Sequence, residues 1–237
     1  KIGVEARYVS LTLDNGKKVG LDSDDNAMYR LAVTGNLGIF NAKVSYTGTD
    51  KDGGNRVFFF ISAALADANV RADRGDVVLV LPGYTETVTA AININKAGVS
   101  IIGIGDGTQK PTITGNGTID AVTITANNVR FENFHFAAPA TDNQTAMINV
   151  GAQGVVVKGI TGVGSTTGNN VVDCITVEAG SHRLLIQDVD IFNTTVAVNS
   201  FLSFEGACTT VKVKNFRAHG DVVVAGIIDD ALVTDLH

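Results

Sequence analysis

The chain has 237 residues, with 18 Lys and Arg against 24 Asp and Glu and a net charge of −6. That balance argues against a nucleic-acid footprint, which needs a clustered basic surface. With 45% hydrophobic and 18% charged residues, disorder is excluded, and no apolar run reaches the length of a membrane span.

Residues 1–57 are read as a small β-rich extension and 58–237 as a second unit. Within the extension, strand-like runs at Tyr8–Leu13, Leu31–Val33 and Ile39–Ser45 are separated by turn-rich stretches. About 57 residues of this kind bury little core unaided, so the extension is expected to attach to something or to drive oligomerisation. Lys1 to Ser10 lacks the apolar core of a signal peptide. Asp22, Asp24 and Asp25 have the flavour of a calcium loop, but the glycine and terminal glutamate are not at the required spacing. A solvated turn is expected there.

From Ile61 to Val70 the spacing predicts a helix, with Ile61, Ala64, Leu65 and Ala68 on one apolar face. The run Arg74 to Gly83 reads as the first strand of the larger unit. The helix is therefore expected to seal the N-terminal end of that unit, because an open end leaves unpaired strands and an uncovered core.

Glycine is abundant (26) and proline scarce (3), and there are 31 valines. Such a composition favours short strands joined by turns at positive φ. The order of these residues contains a repeat. Apolar residues two apart, followed by Gly, Asn or Asp and another apolar residue, occur from Val99, Val129, Val155, Leu184 and Val211, at spacings of 30, 26, 29 and 27. A second ladder precedes it: Ile92/Ile94, Val122/Ile124, Ile148/Val150, Ile175/Val177 and Leu202/Phe204, spaced 30, 26, 27 and 27. Propeller blades need about 40–45 residues, and hairpin signals are scarce.

The pattern predicts an all-β fold, a right-handed parallel β-helix of about five to six turns with an N-terminal capping helix and the β-rich extension. Stacked at about 4.8 Å, five turns make a rod roughly 25 Å tall. Gly103, Asn133, Gly159, Asp188 and Asn215 form the expected bend column, being residue types that tolerate a left-handed backbone. Val222 to Ile228 and Ala231 to Leu236 are expected to make a partial last turn.

The stretch from Asp76 through Pro82, Gly83, Tyr84 and Glu86 resembles the opening turn of pectin-lyase-like right-handed β-helix proteins. Continuing through Ala97, Gly103, Gly105, Gly107 and Lys110 to Thr112, it is similar to β-helix proteins of tailed bacteriophages. The resemblance implies fold and virion origin, and it says little of activity, since one fold hosts many functions.

Enzymes of this fold use carboxylate pairs or a calcium ion with a basic residue, and glycosidic cleavage needs carboxyl groups about 5–9.5 Å apart. Glu132, Asp188, Asp190 and Glu205 lie on or beside repeat strands, with Asp188 and Asp190 the weak catalytic candidates. The pectinase motif set is missing: Asp229-Asp230 stands alone, His219-Gly220 follows Ala218, and no Arg-Ile-Lys occurs. The outward ladder Ile102, Glu132, Lys158, Gln187, Lys214 mixes signs, as a solvated face does. His135, His182, His219 and His237 have no metal-ligand spacing, and Cys174 and Cys208 read as buried thiols. No cofactor or metal is expected.

Together these readings favour a non-enzymatic virion structural protein, a capsid-decorating protein on the particle surface. Its extension would dock on the major capsid protein or another virion protein, and a homo-oligomer, for instance a trimer, is expected. Neither nucleic acid nor membrane is an expected partner. The alternatives are a tail spike or fibre that binds or depolymerises host-surface polysaccharide, and a bacterial surface adhesin.

Overall fold

Alternating apolar residues in short runs, cut by Gly, Asn and Asp, bury one face of each run and turn the chain at its end. The computed structural model describes residues 44–47, 56–58, 60–141, 143–166, 168–193, 197–229 and 234–236. Strands β1 (Val44–Thr47) and β2 (Arg56–Phe58) and helix α1 (Ile61–Ala66) come first. Each of the next four turns has three strands: β3 (Val77–Val80), β4 (Thr85–Val88) and β5 (Ile92–Ile94); β6 (Ser100–Gly103), β7 (Thr112–Gly115) and β8 (Asp120–Ile124); β9 (Arg130–Glu132), β10 (His135–Phe136) and β11 (Gln144–Val150); β12 (Val156–Lys158), β13 (Thr161–Thr166) and β14 (Asn169–Val177). Later the first two strands of a turn merge, as β15 (Leu184–Asn193) before β16 (Ser200–Phe204), then β17 (Thr209–His219) before β18 (Ile227–Asp229). Strand β19 (Thr234–Leu236) comes last. The protein is an all-β, mostly parallel β-solenoid of about five turns.

Strand register carries the periodic ladders into space. On the first face Val78, Ile101, Phe131, Val157, Ile186 and Val213 are successive partners. On the third, Ile92, Val122, Ile148, Ile175, Leu202 and Ile227 are. Up to the last turn these side chains are buried, and Phe131 stacks on Phe134 at 4.3 Å between ring centroids. The second face has no such sequence signature: its inward column is Glu86, Ile113, Phe136, Gly162, Ile191 and Ala218.

The bend column holds with one exception. Asn133, Gly159, Asp188 and Asn215 have φ of 64°, 68°, 55° and 48°, and the residue after each of the first three is buried. A left-handed residue shifts the inward–outward parity, so the apolar spacing across the corner is three rather than two. Gly103 departs from this. Its backbone is not left-handed, Ile104 after it is exposed, and the chain leaves in a loop with a 3-10 turn at Gly107–Gln109. Pro111 then takes the place of the buried residue after the bend, level with Phe134 of the next turn, and its carbonyl accepts the His135 N–H at 2.8 Å. Glycine is required at 103 because a Cβ there would overlap the Asn133 carbonyl oxygen.

A second left-handed column, Asp73, Gly98, Asn128, Gly154, Arg183 and Thr210, precedes the first face. The amides of residues 98, 128, 154 and 183 each donate to a carbonyl one turn on, at 2.8–2.9 Å.

Helix α1 is shorter than the predicted Ile61–Val70. It ends at Ala66 because the Asp67 side chain accepts from the Asn69 backbone at 2.8 Å, a local turn that competes with helix. Lys96 Nζ then binds the carbonyls of Asp67 and Val70 at 2.8 and 2.6 Å. The helix buries Ile61, Ala64 and Leu65 and lies against β1, β2, β3 and β5. Strand β1 pairs antiparallel with β2 and β3. The predicted runs Tyr8–Leu13 and Leu31–Val33, the turn at Asp22, Asp24 and Asp25, and most of Ile39–Ser45 lie outside the described residues. The predicted first strand narrows to β3. At the far end, Val222 bridges Val198 before β18.

Candidate functional site

The acids singled out in the sequence are carried on different sides of the coil. Glu132 points outward from the first face and is paired with Arg130. Asp188 sits at the corner after that face. Its Oδ1 accepts from Asn215 Nδ2 at 2.9 Å and its Oδ2 from Gln187 Nε2 at 3.1 Å. Asp190, two residues on, stands on the second face, with His219 Nε2 3.6 Å from its Oδ1. Glu205 ends the third face and accepts from Ser203 Oγ at 2.6 Å. Only Asp188 and Asp190 are neighbours, and Asp188 is engaged in holding a bend.

Around Asp190 the second face presents a polar column through register: Thr85, Thr112, His135, Thr161, Asp190 and Arg217. His135 Nδ1 lies 3.0 Å from Thr161 Oγ1. Burial, with help from nearby Lys110, keeps its imidazole below the usual histidine range. Lys110 reaches across the corner to the Gly159 carbonyl at 2.9 Å. Phe192, 42% exposed, is the register partner of His219. A carboxylate, an imidazole, a guanidinium and an open aromatic ring therefore share one end of this face. Sequence inspection missed this column because its inward residues obey no apolar pattern; the Thr-x-Thr pairs at 85–87 and 112–114 were the available signal.

A second polar cluster lies on the third face. Asn149 Nδ2 donates to Asp120 Oδ2 and to Glu178 Oε1, both at 3.0 Å. Asp120 Oδ1 and Asn149 Oδ1 are buried without a protein hydrogen-bond partner. Asp173 accepts from Ser200 Oγ at 2.7 Å. Burial, and the nearby Glu205 charge, raise its carboxyl above the usual range. Among the described residues no three His, Cys, Asp or Glu side chains gather as a metal-ligand set.

Beneath α1 lies a buried pair. The Tyr84 hydroxyl donates to Glu86 Oε2, and the Ile61 N–H reaches that oxygen at 3.4 Å. Burial pushes both groups above their usual ranges. Cys174 and Cys208 are buried, and Cys208 Sγ contacts the Gly206 and Glu178 carbonyls at 3.4 and 3.5 Å. Burial raises the Cys174 thiol well beyond the reactive range.

No protein-family model matches this chain, and searches of curated proteins and of solved structures returned no match.

Proposed function

We propose that this chain is a non-enzymatic virion structural protein that decorates a bacteriophage capsid. In this proposal residues 1–57 dock on the major capsid protein or another virion protein, and the coil, wound right-handed with α1 sealing its N-terminal end, projects outward. The observation that carries it is Asp188. This acid, one of the two weak candidates by sequence, is a corner residue at φ 55°, hydrogen-bonded to Asn215 and Gln187. Its carboxylate serves the stacking of turns, as expected where the coil is a rigid spacer. The right hand rests on the strong preference of parallel crossover connections for that sense. Labelling of purified particles with an antibody to this chain tests the proposal. Density on the head is the expected result, and absence from particles overturns it.

One observation favours a second reading, a tail spike or fibre that binds host polysaccharide: the exposed Phe192 ring beside Asp190, His219 and Arg217. Aromatic faces flanked by polar groups are a common form of binding surface. Incubation with host capsule or lipopolysaccharide separates the readings. Reducing or unsaturated ends that disappear in Asp190→Asn would favour the spike.

A further inference from the structure

The coil's sides differ in charge. Strands β5, β8, β11, β14, β16 and β18 of the third face contain no Lys, Arg or His. Its outward and flanking positions supply Asp120, Asp173, Glu178 and Glu205, whose hydrogen bonds come from Asn149, Ser200 and Ser203 and not from a cation. The nearby Glu205 charge is one of the forces acting against ionisation of Asp173, so like charges press on each other along this side.

The first face has the opposite character. Arg130, Lys158, Lys212 and Lys214 point outward from β9, β12 and β17. Of these only Arg130 has an acidic partner, Glu132, among the described residues. Lys212 and Lys214 are exposed. Both faces rest on parallel strands with the same spacing of about 4.8 Å, so the acids on one and the bases on the other stand at multiples of one step.

We infer that two copies of this chain associate side by side, the acidic third face of one against the basic first face of the next. The occupant is a second copy because the complementary surface is present on the same molecule, on the same strand step. The contact is heterologous, since different surfaces meet, and it closes into a ring or continues as a row according to the angle between the faces. Charge complementarity makes it salt-sensitive, exposed charges being screened beyond about 10 Å at 0.1 M salt. The inference does not depend on the proposed place in a virion.

Light scattering on the full chain, with charge reversal, tests it. The wild type is expected to exceed the monomer mass of 24.7 kDa at low salt and to fall toward it in high salt. Thr176→Lys with Glu205→Lys sets two lysines against the three acids that remain on the third face, and Lys212→Glu with Lys214→Glu joins Glu132 to turn the first face acidic; each double variant alone is expected to be monomeric with an unchanged circular dichroism spectrum. An equimolar mixture restores one complementary contact, the basic first face of the first variant against the acidic third face of the second, and a mass above the monomer is expected to return. A wild type that stays monomeric at low salt overturns the inference. So does an oligomer indifferent to both reversals, which would be held by another surface. Disruption without recovery in the mixture overturns the pairing of these two faces and would point to a different partner for each.

Discussion

Asn149 Nδ2 donates to Asp120 Oδ2 at 3.0 Å, linking residues 29 apart in the chain. The same nitrogen reaches Glu178 Oε1, another 29 residues on. One amide thus stands between two carboxylates carried two levels apart, on the turns below and above its own. Asn149→Ala is expected to cost about 1–3 kcal/mol, the usual loss when a partner leaves part-buried polar groups unsatisfied. Asn149→Asp should cost more, since it adds a third carboxylate between two. Urea midpoints rank the two variants; an Asp variant as stable as the wild type would contradict the role given to the amide.

Glu86 stands at the head of an inward column and is buried with Tyr84 against the start of α1. Burial raises its folded-state carboxyl, so the folded protein retains a proton that the unfolded chain has released. Linkage sets the sign. This group's contribution is fully present below the unfolded carboxyl range, near pH 4.3, and declines as pH rises through the raised folded value. Glu86→Gln should flatten that decline. Hydrogen exchange of the α1 amides between pH 4 and 8 measures it, and identical slopes in the two proteins would defeat the prediction.

Asn133 combines a left-handed backbone, φ 64°, with side-chain bonds to the Gly103 and Gly105 carbonyls at 2.9 and 2.8 Å. Asn133→Ala should lose about 2–3 kcal/mol, from roughly 1–2 for the backbone and about 1 for the bonds. Asn133→Gly escapes the backbone cost and should lie between. Gly103→Ala should be worse than either, because its new Cβ would overlap backbone. Thermal unfolding of the three variants gives the order.

Asp188 and Asp190 should separate by stability. Asp188→Asn keeps a residue suited to φ 55° and is expected to fall within about 1 kcal/mol of the wild type, whereas Asp188→Ala should lose about 1–2 from the left-handed backbone alone. Asp190 is half exposed beside His219, and its change to Asn should stay within about 0.5 kcal/mol. Denaturation curves check both, and equal sensitivity at 188 and 190 would refute the corner role of Asp188.

Much of the fold is legible in the order of residues. Val99, Val129, Val155, Leu184 and Val211 repeat because each turn presents the same environment, and an apolar column leaves a period in the chain. The second face left none, since Glu86, Gly162 and Ala218 share an inward column with Phe136. Its interior differs in chemistry from turn to turn, so no residue type recurs. The second left-handed column is half visible: Gly98, Asn128 and Gly154 announce it, but Arg183 and Thr210 do not. Arg183 takes that conformation against its own preference, with its amide bonded to the Thr209 carbonyl of the next turn.

The candidate acids were found by type and strand position, and their surroundings were not. Sequence spacing places Asp188 and Asp190 two apart; only the bend between them puts one on a corner and the other on a face. The chain by itself determined that a parallel coil of about five turns forms, because period and parity are local properties of side chains. The tertiary structure alone decided what each polar residue does. Hydrogen bonds such as Asn149 to Asp120 and to Glu178, and the separation of acids from lysines onto different faces, join residues whose relation depends on how turns stack. That stacking is set by summed packing rather than by any single stretch of sequence.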